Sequence, residues 1–212
     1  TPSGILIQSD NAFLSDQVRT ALANAGQTSF YMGRFNSDLS YPEIDFERKV
    51  TQGTLAFDGK IGSNLRWSAY YSHGEYQNNI DTPGFLLARE FANAVDSVKG
   101  PGGTPICRIA LTNPTTNCVP INLFGLGAPS QAAIDYVTGT PSQRATTKLD
   151  VGGLSLRGEP FALPAGAVSF AVGVEARKES IVQTVGALDA AKAFRTFSFS
   201  AMSGSFDVKE AF

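Results

Sequence analysis

Two cysteines, one histidine and a few carboxylate–cation neighbours are the side chains of this 212-residue chain whose types and spacing could carry chemistry. Cys107 and Cys118 bracket the run RIALTNPTTN. A metal or redox pair is one chemistry open to them, but there is no C-x-x-C spacing, and His73, the single histidine, belongs to a distant segment. The other reading is a structural disulfide pinning a long loop in an oxidising compartment, worth on the order of 2.5–3 kcal/mol in the chain-entropy model. His73 itself reads as a polar lumen or interface residue near a strand end, with a ligand contact as the alternative. Glu175 and Arg177 share one strand face, as do Glu47 and Lys49; an acid/base constellation is conceivable chemistry, and a ladder of opposite charges explains them at less cost. Phe194, Phe197 and Phe199 could form a ligand platform or an apolar loop cluster. Without a Ser/His/Asp order, metal-ligand spacing, phosphate loop or nucleophile elbow, the expectation is no enzyme, no metal and no cofactor.

The elements that must position these groups are strands. In Arg157–Lys178, Val168, Phe170, Val172 and Val174 alternate with Ser169, Ala171, Gly173, Glu175 and Arg177, so one face is apolar and the other small or charged. Leu154 and Leu156 alternate ahead of it, and the prolines and glycine of Pro160–Gly166 predict the tight end of a hairpin. A second hairpin is predicted across Gly62-Ser63-Asn64, with Leu55 and Phe57 alternating before the turn and Leu65, Trp67, Ala69 and Tyr71 after it. Helical spacing predicts short helices over Ser15–Ala25, around Leu87–Val98 and over Ser130–Val137. Pro42 argues against a central ladder position in the loop before Phe46. The expected strands lie near 30–37, 46–61, 65–77, 146–157, 167–180 and 205–212, with long loops over 78–145 and 181–204. Short turns then fall at one end of the strands and long loops at the other, the asymmetry of an outer-membrane barrel.

Composition agrees with an all-β chain. Glycine numbers 21 and phenylalanine 15, charged residues make up 17%, and mean hydropathy is −0.05, the middling value that alternating strands produce. No run of about 18 apolar residues is present, which excludes a helical membrane protein. A net charge of −2 without a basic cluster gives a phosphate backbone nothing to hold, so nucleic acid is not an expected partner. The chain starts without methionine and ends inside a strand pattern, so the expectation is a piece cut from a longer protein.

Three segments carry a resemblance: NPTTNCVPINLFGLGAPSQAAIDYV, LSLRGEPFALPAGAVSFAVGVEARKES and SGSFDVKEAF, together with the strand WSAYYSHG. The LPAG turn followed by G-x-E-x-R, and the CVPxNxFG loop with its upstream cysteine, resemble the barrel domain of TonB-dependent outer-membrane receptors of Gram-negative bacteria, from about Phe30 onward. The resemblance implies an all-β fold, here an incomplete, roughly six-strand antiparallel segment of a large transmembrane barrel. It places Leu55, Phe57, Trp67, Val168, Phe170, Val172 and Val174 against outer-membrane lipid, Glu175 and Arg177 toward the lumen, and Cys107–Cys118 in a loop disulfide. It also implies import of a scarce small-molecule nutrient (siderophore, haem, cobalamin or oligosaccharide). The TonB complex would supply the energy through an N-terminal part, plug and TonB box, that this sequence does not contain. Because strands in lipid survive only in a closed barrel, such a segment depends on its missing neighbours or on other copies. A soluble carbohydrate-binding module, its apolar faces packed as a sandwich, and a segment of a general porin are the alternatives.

Overall fold

A computed structural model describes residues 4–41 and 43–212; the expectation for Pro42 lies outside the described residues. In chain order the elements are β1 (Ile5–Gln8), α1 (Asp16–Asn24), β2 (Ser29–Met32), β3 (Asp45–Ile61), β4 (Leu65–Asp81), β5 (Phe85–Leu86) and α2 (Ala88–Val95). They continue with β6 (Ser97–Lys99), β7 (Pro105–Cys107), α3 (Gln131–Val137), β8 (Thr138–Gly139), β9 (Ser142–Leu163), β10 (Gly166–Val185), α4 (Ala187–Ala190) and β11 (Met202–Ala211). The chain is mostly β, its strands pair antiparallel where the register is defined, and it divides into two compact units.

One unit, residues 46–80, 143–185 and 200–212, is a long sheet in the order β11-β10-β9-β4-β3. Both expected hairpins are present. Gly62 at φ +64° opens the three-residue turn between β3 and β4, and Gly166 at φ +131° follows the two residues that join β9 to β10. The second turn is tighter than the sequence predicts, because β9 runs through Pro160 to Leu163. The register passes from Phe170↔Gly158 to Val168↔Phe161, so a bulge at Glu159-Pro160 accommodates the imino acid that cannot donate to a ladder. Strands also outrun their expected ends: β4 reaches Asp81, β9 begins at Ser142 and β10 continues to Val185, which shortens the connections to 82–141 and 186–201. With β3 and β11 as open edges, the sheet does not close among the described residues.

The expectation of six strands in this sheet is corrected to five among the described residues. The stretch near 30–37 contributes only β2, which pairs with β1 through Ile5↔Met32 to Gln8↔Ser29. Phe30 and Met32 alternate as a strand should, but the apolar partners they meet are Ile5 and Ile7 of the second unit. Beyond β2, Arg34 turns to the Asp38 carboxylate (2.7 Å) and to the carbonyls of Leu123 and Gly125, which ends the extended run.

That second unit, residues 1–45, 81–142 and 186–199, has its own core of Ile7, Phe91, Ala94, Ile121, Ala133 and Val137. The long connections are therefore folded structure, built on the expected helices. Ser15 and Ser130 cap α1 and α3 by accepting from Val18 N and Ala133 N. α2 buries Phe91, Ala94 and Val95, whereas α1 buries no residue. Arg108 clasps three segments, with its Nη atoms on Asp10 (2.6 and 2.9 Å) and its Nε on Asp96 (3.0 Å). Asp189, with no exposed surface, accepts from Ser142 N (2.8 Å) and Phe199 N (2.7 Å) and so ties the ends of two connections together.

Candidate functional site

The long sheet carries two chemically distinct faces. Leu154 stands opposite Val174, and Leu156 opposite Val172. The Ser68–Ser155 hydroxyl contact (2.8 Å) sets the register of β4 on β9, and Ser72 with Thr54 (2.9 Å) sets β3 on β4. With alternation, these contacts put Leu55, Phe57, Trp67, Val168, Phe170, Val172 and Val174 on one face. Trp67 lies flat on this face over Gly59, where an added Cβ would come within 2.6 Å of the indole Nε1. Among the described residues nothing covers this surface: Leu55 is 65% exposed, Phe57 63%, Leu154 53%, Val172 48% and Val174 54%.

Away from the tight turns the same face turns polar. Asp150 accepts from the Tyr71 hydroxyl (2.6 Å) and contacts His73 Nδ1 (2.7 Å), and Lys148 pairs with Glu75 at 3.3 Å. His73 thus lies beyond the apolar band as part of its polar border. Leu149 and Val151 of β9 depart from the pattern, standing opposite Glu179 and Arg177 on the other face, and β11 reverses it. Its Asp207 and Lys209 stand opposite Lys178 and Ala176 on the valine face, while Phe206 and Val208 stand opposite Glu179 and Arg177 on the other.

The opposite face is polar. Glu175 and Arg177 share it as expected, but Arg177 pairs with Glu179 (3.4 Å), and Glu175 accepts from the Tyr70 hydroxyl (2.6 Å). Tyr70 reaches Glu175 across β9 because position 153 is glycine: an added Cβ would lie 2.6 Å from its ring. Glu210 of β11 stands directly opposite Glu175, two like charges at neighbouring positions. Such a face suits an aqueous surface or a polar partner.

In the other unit, Cys107 and Cys118 form a disulfide beside the Arg108 clasp. Hydrogen bonds from Arg108 hold the Asp10 carboxyl below the usual carboxylate range, although partial burial opposes them. Phe194 and Phe197 pack against Phe85, and Phe199 against Phe197, as an apolar loop cluster: Phe197 lies edge-on to Phe199 at 4.8 Å, and Phe85 edge-on to Phe194 at 6.4 Å.

The same unit holds a groove of about 440 Å³ between β1 and α2, floored by Ile5, Leu6, Phe91 and Ala92. Arg195 stands over it. Its N–H donates to Leu86 O (2.9 Å), Ala88 N donates to Ala193 O (2.8 Å), and its guanidinium lies 5.0 Å from the Phe91 ring centre. Asp96 also lines the groove, with its carboxylate engaged by Arg108.

Tyr70, Asp150 and Glu210 were within reach of the alternation pattern, which places each on a definite face. Arg195 had no sequence signal, since its partner Phe91 is brought to it by the fold. No protein-family model matches the chain, and neither the curated proteins nor the solved structures give a match to it.

Proposed function

We propose that this chain is a stretch of barrel wall, with its folded outer loops, from a TonB-dependent outer-membrane receptor that imports a scarce small-molecule nutrient. The observation that carries the reading is the uncovered apolar face of the long sheet, with its polar border at Tyr71, His73 and Asp150. Contiguous apolar surface of this kind is costly in water and favourable against hydrocarbon, and tyrosine with charged neighbours at its edge suits the headgroup level. Lys209, level with Ala176 near that edge, has a stem long enough to bring its ammonium to water. Both hairpin turns have two or three residues, whereas β4 connects to β9 and β10 to β11 through long segments of a second compact unit. That division favours a barrel with short periplasmic turns and elaborate outer loops, in the outer membrane of a Gram-negative cell. The polar face, with Tyr70, Glu175, Arg177 and Glu210, then looks into the bore. A plug, TonB coupling and neighbouring strands on the open edges of β3 and β11 belong to the rest of such a receptor.

Trp67 makes the reading testable. In the intact protein carrying Trp67 as its single tryptophan, lipids brominated along their acyl chains quench its fluorescence on reconstitution into vesicles, whereas a water-soluble quencher has little effect. The reverse order, strong aqueous quenching without bromolipid quenching, would remove Trp67 and its face from the membrane and favour a soluble module.

A further inference from the structure

The groove between β1 and α2 has three properties that converge on one kind of ligand. The first is a strand edge. Ser9 N donates to Thr28 O (2.8 Å), and the register Ile7↔Phe30, Ile5↔Met32 continues from that hydrogen-bonded pair. Alternation of an antiparallel ladder then directs the amide and carbonyl of Leu6 away from β2, to the side of β1 that no strand occupies among the described residues. Leu6 and Gln8 both line the groove on that side. The second is an apolar wall from α2, where Phe91 and Val95 are buried and Ala88 and Ala92 leave room for a ligand's side chains. The third is Arg195, whose guanidinium stacks on Phe91 and makes no ion pair among the described residues; the neighbouring carboxylate, Asp96, already serves Arg108.

We infer that this groove binds a short, extended, amide-containing ligand with apolar side chains and a carboxylate, of the chemical class of a small peptide acid. Backbone groups of the ligand pair with Leu6 in the manner of an added strand, its apolar side chains lie on α2, and its carboxylate meets Arg195. A volume of about 440 Å³ suits a molecule of a few residues, within the range of small-ligand pockets. Each part needs the others. A free strand edge alone accepts any extended chain, and an exposed arginine alone accepts any anion. The combination selects an amide backbone with a negative charge at a fixed distance. This goes beyond the receptor reading, since binding here is independent of whether the long sheet crosses a membrane.

The test uses the intact protein in a neutral detergent and two probes: dansyl-Val-Val-Leu with a free carboxylate, and the same tripeptide as its C-terminal amide. The acid is expected to bind saturably and the amide about tenfold or more weakly, the loss of a charge-assisted contact. Arg195→Gln should erase the difference between the two probes, and Arg195→Lys should restore part of it. Ala92→Phe fills the groove and should abolish binding of both. Leu6→Pro removes the outward amide without removing a β1–β2 bond, as proline on an edge strand permits, and should weaken both probes alike. An absence of saturable binding to the unmodified protein overturns the inference. So does equal affinity for acid and amide, or binding indifferent to both Arg195→Gln and Ala92→Phe. Circular dichroism of each variant identifies any that has not folded, and the acid-against-amide comparison on the unmodified protein stands without them.

Discussion

Neighbouring positions 171 and 172 offer the sharpest trial of the membrane assignment, because they differ in face and in little else. Val172 stands opposite Leu156 on the apolar face, and Ala171 stands opposite Arg157 on the polar one. The apolar run of β10 from Val168 to Ala176 spans eight residue steps, about 27 Å along a strand at ~3.4 Å each. At a tilt of ~45° that becomes about 19 Å of depth, with Val172 at its midpoint. Arginine at the midplane of a lipid-facing barrel surface costs roughly 2–4 kcal/mol. At about 1.4 kcal/mol per factor of ten, Val172→Arg should lower the folded-to-unfolded ratio roughly 30- to 700-fold. Ala171→Arg, on a water-facing surface, should stay within about 0.5 kcal/mol of the parent. The assay is reversible denaturant unfolding of the intact protein in phosphatidylcholine vesicles, followed by tryptophan fluorescence and by protection from protease. Equal costs at the two positions, or a tolerated arginine at 172, would refute the assignment. If the valine face were instead an exposed surface in water, neither arginine would matter.

Three further outcomes concern the loop unit. Replacing Cys107 and Cys118 with serine should reduce its stability by about 2–3 kcal/mol, read as faster proteolysis of the loops at unchanged strand content. Acid should loosen the Arg108 clasp. Because Arg108 depresses the Asp10 pKa, the contribution of the pair is complete above the unfolded carboxylate value of about 4 and is lost as pH falls through the lower folded value. Protection factors of the amides around Asp10, with the intrinsic pH dependence of exchange divided out, should therefore fall below that range, and Arg108→Ala should abolish that fall. Asp189→Ala leaves Ser142 N and Phe199 N without their acceptor and should cost on the order of 1–3 kcal/mol per buried donor, visible as faster amide exchange at both residues.

What the sequence determined by itself was periodicity. Valine and phenylalanine at every second position of β10, answered by Leu154 and Leu156 on β9, specify a two-faced strand whatever surrounds it, because side-chain direction follows from the pleat. The turn at Gly62 and the Ser15 and Ser130 helix starts were legible for the same reason: each is a property of a few consecutive residues. Pro160 misled the strand reading, since a bulge relieves a constraint that a regular ladder would enforce. Tertiary structure decided everything that joins distant residues. Phe30 and Met32 alternate no less than Val172 and Val174, yet they belong to a different unit, because Ile5 and Ile7 are the apolar surface they meet. Arg195 over Phe91 and Asp189 between Ser142 and Phe199 have no local signature, and neither does Glu210 opposite Glu175. Their pairing depends on which segments the core and the strand register bring together, and residue spacing in one dimension does not encode that proximity.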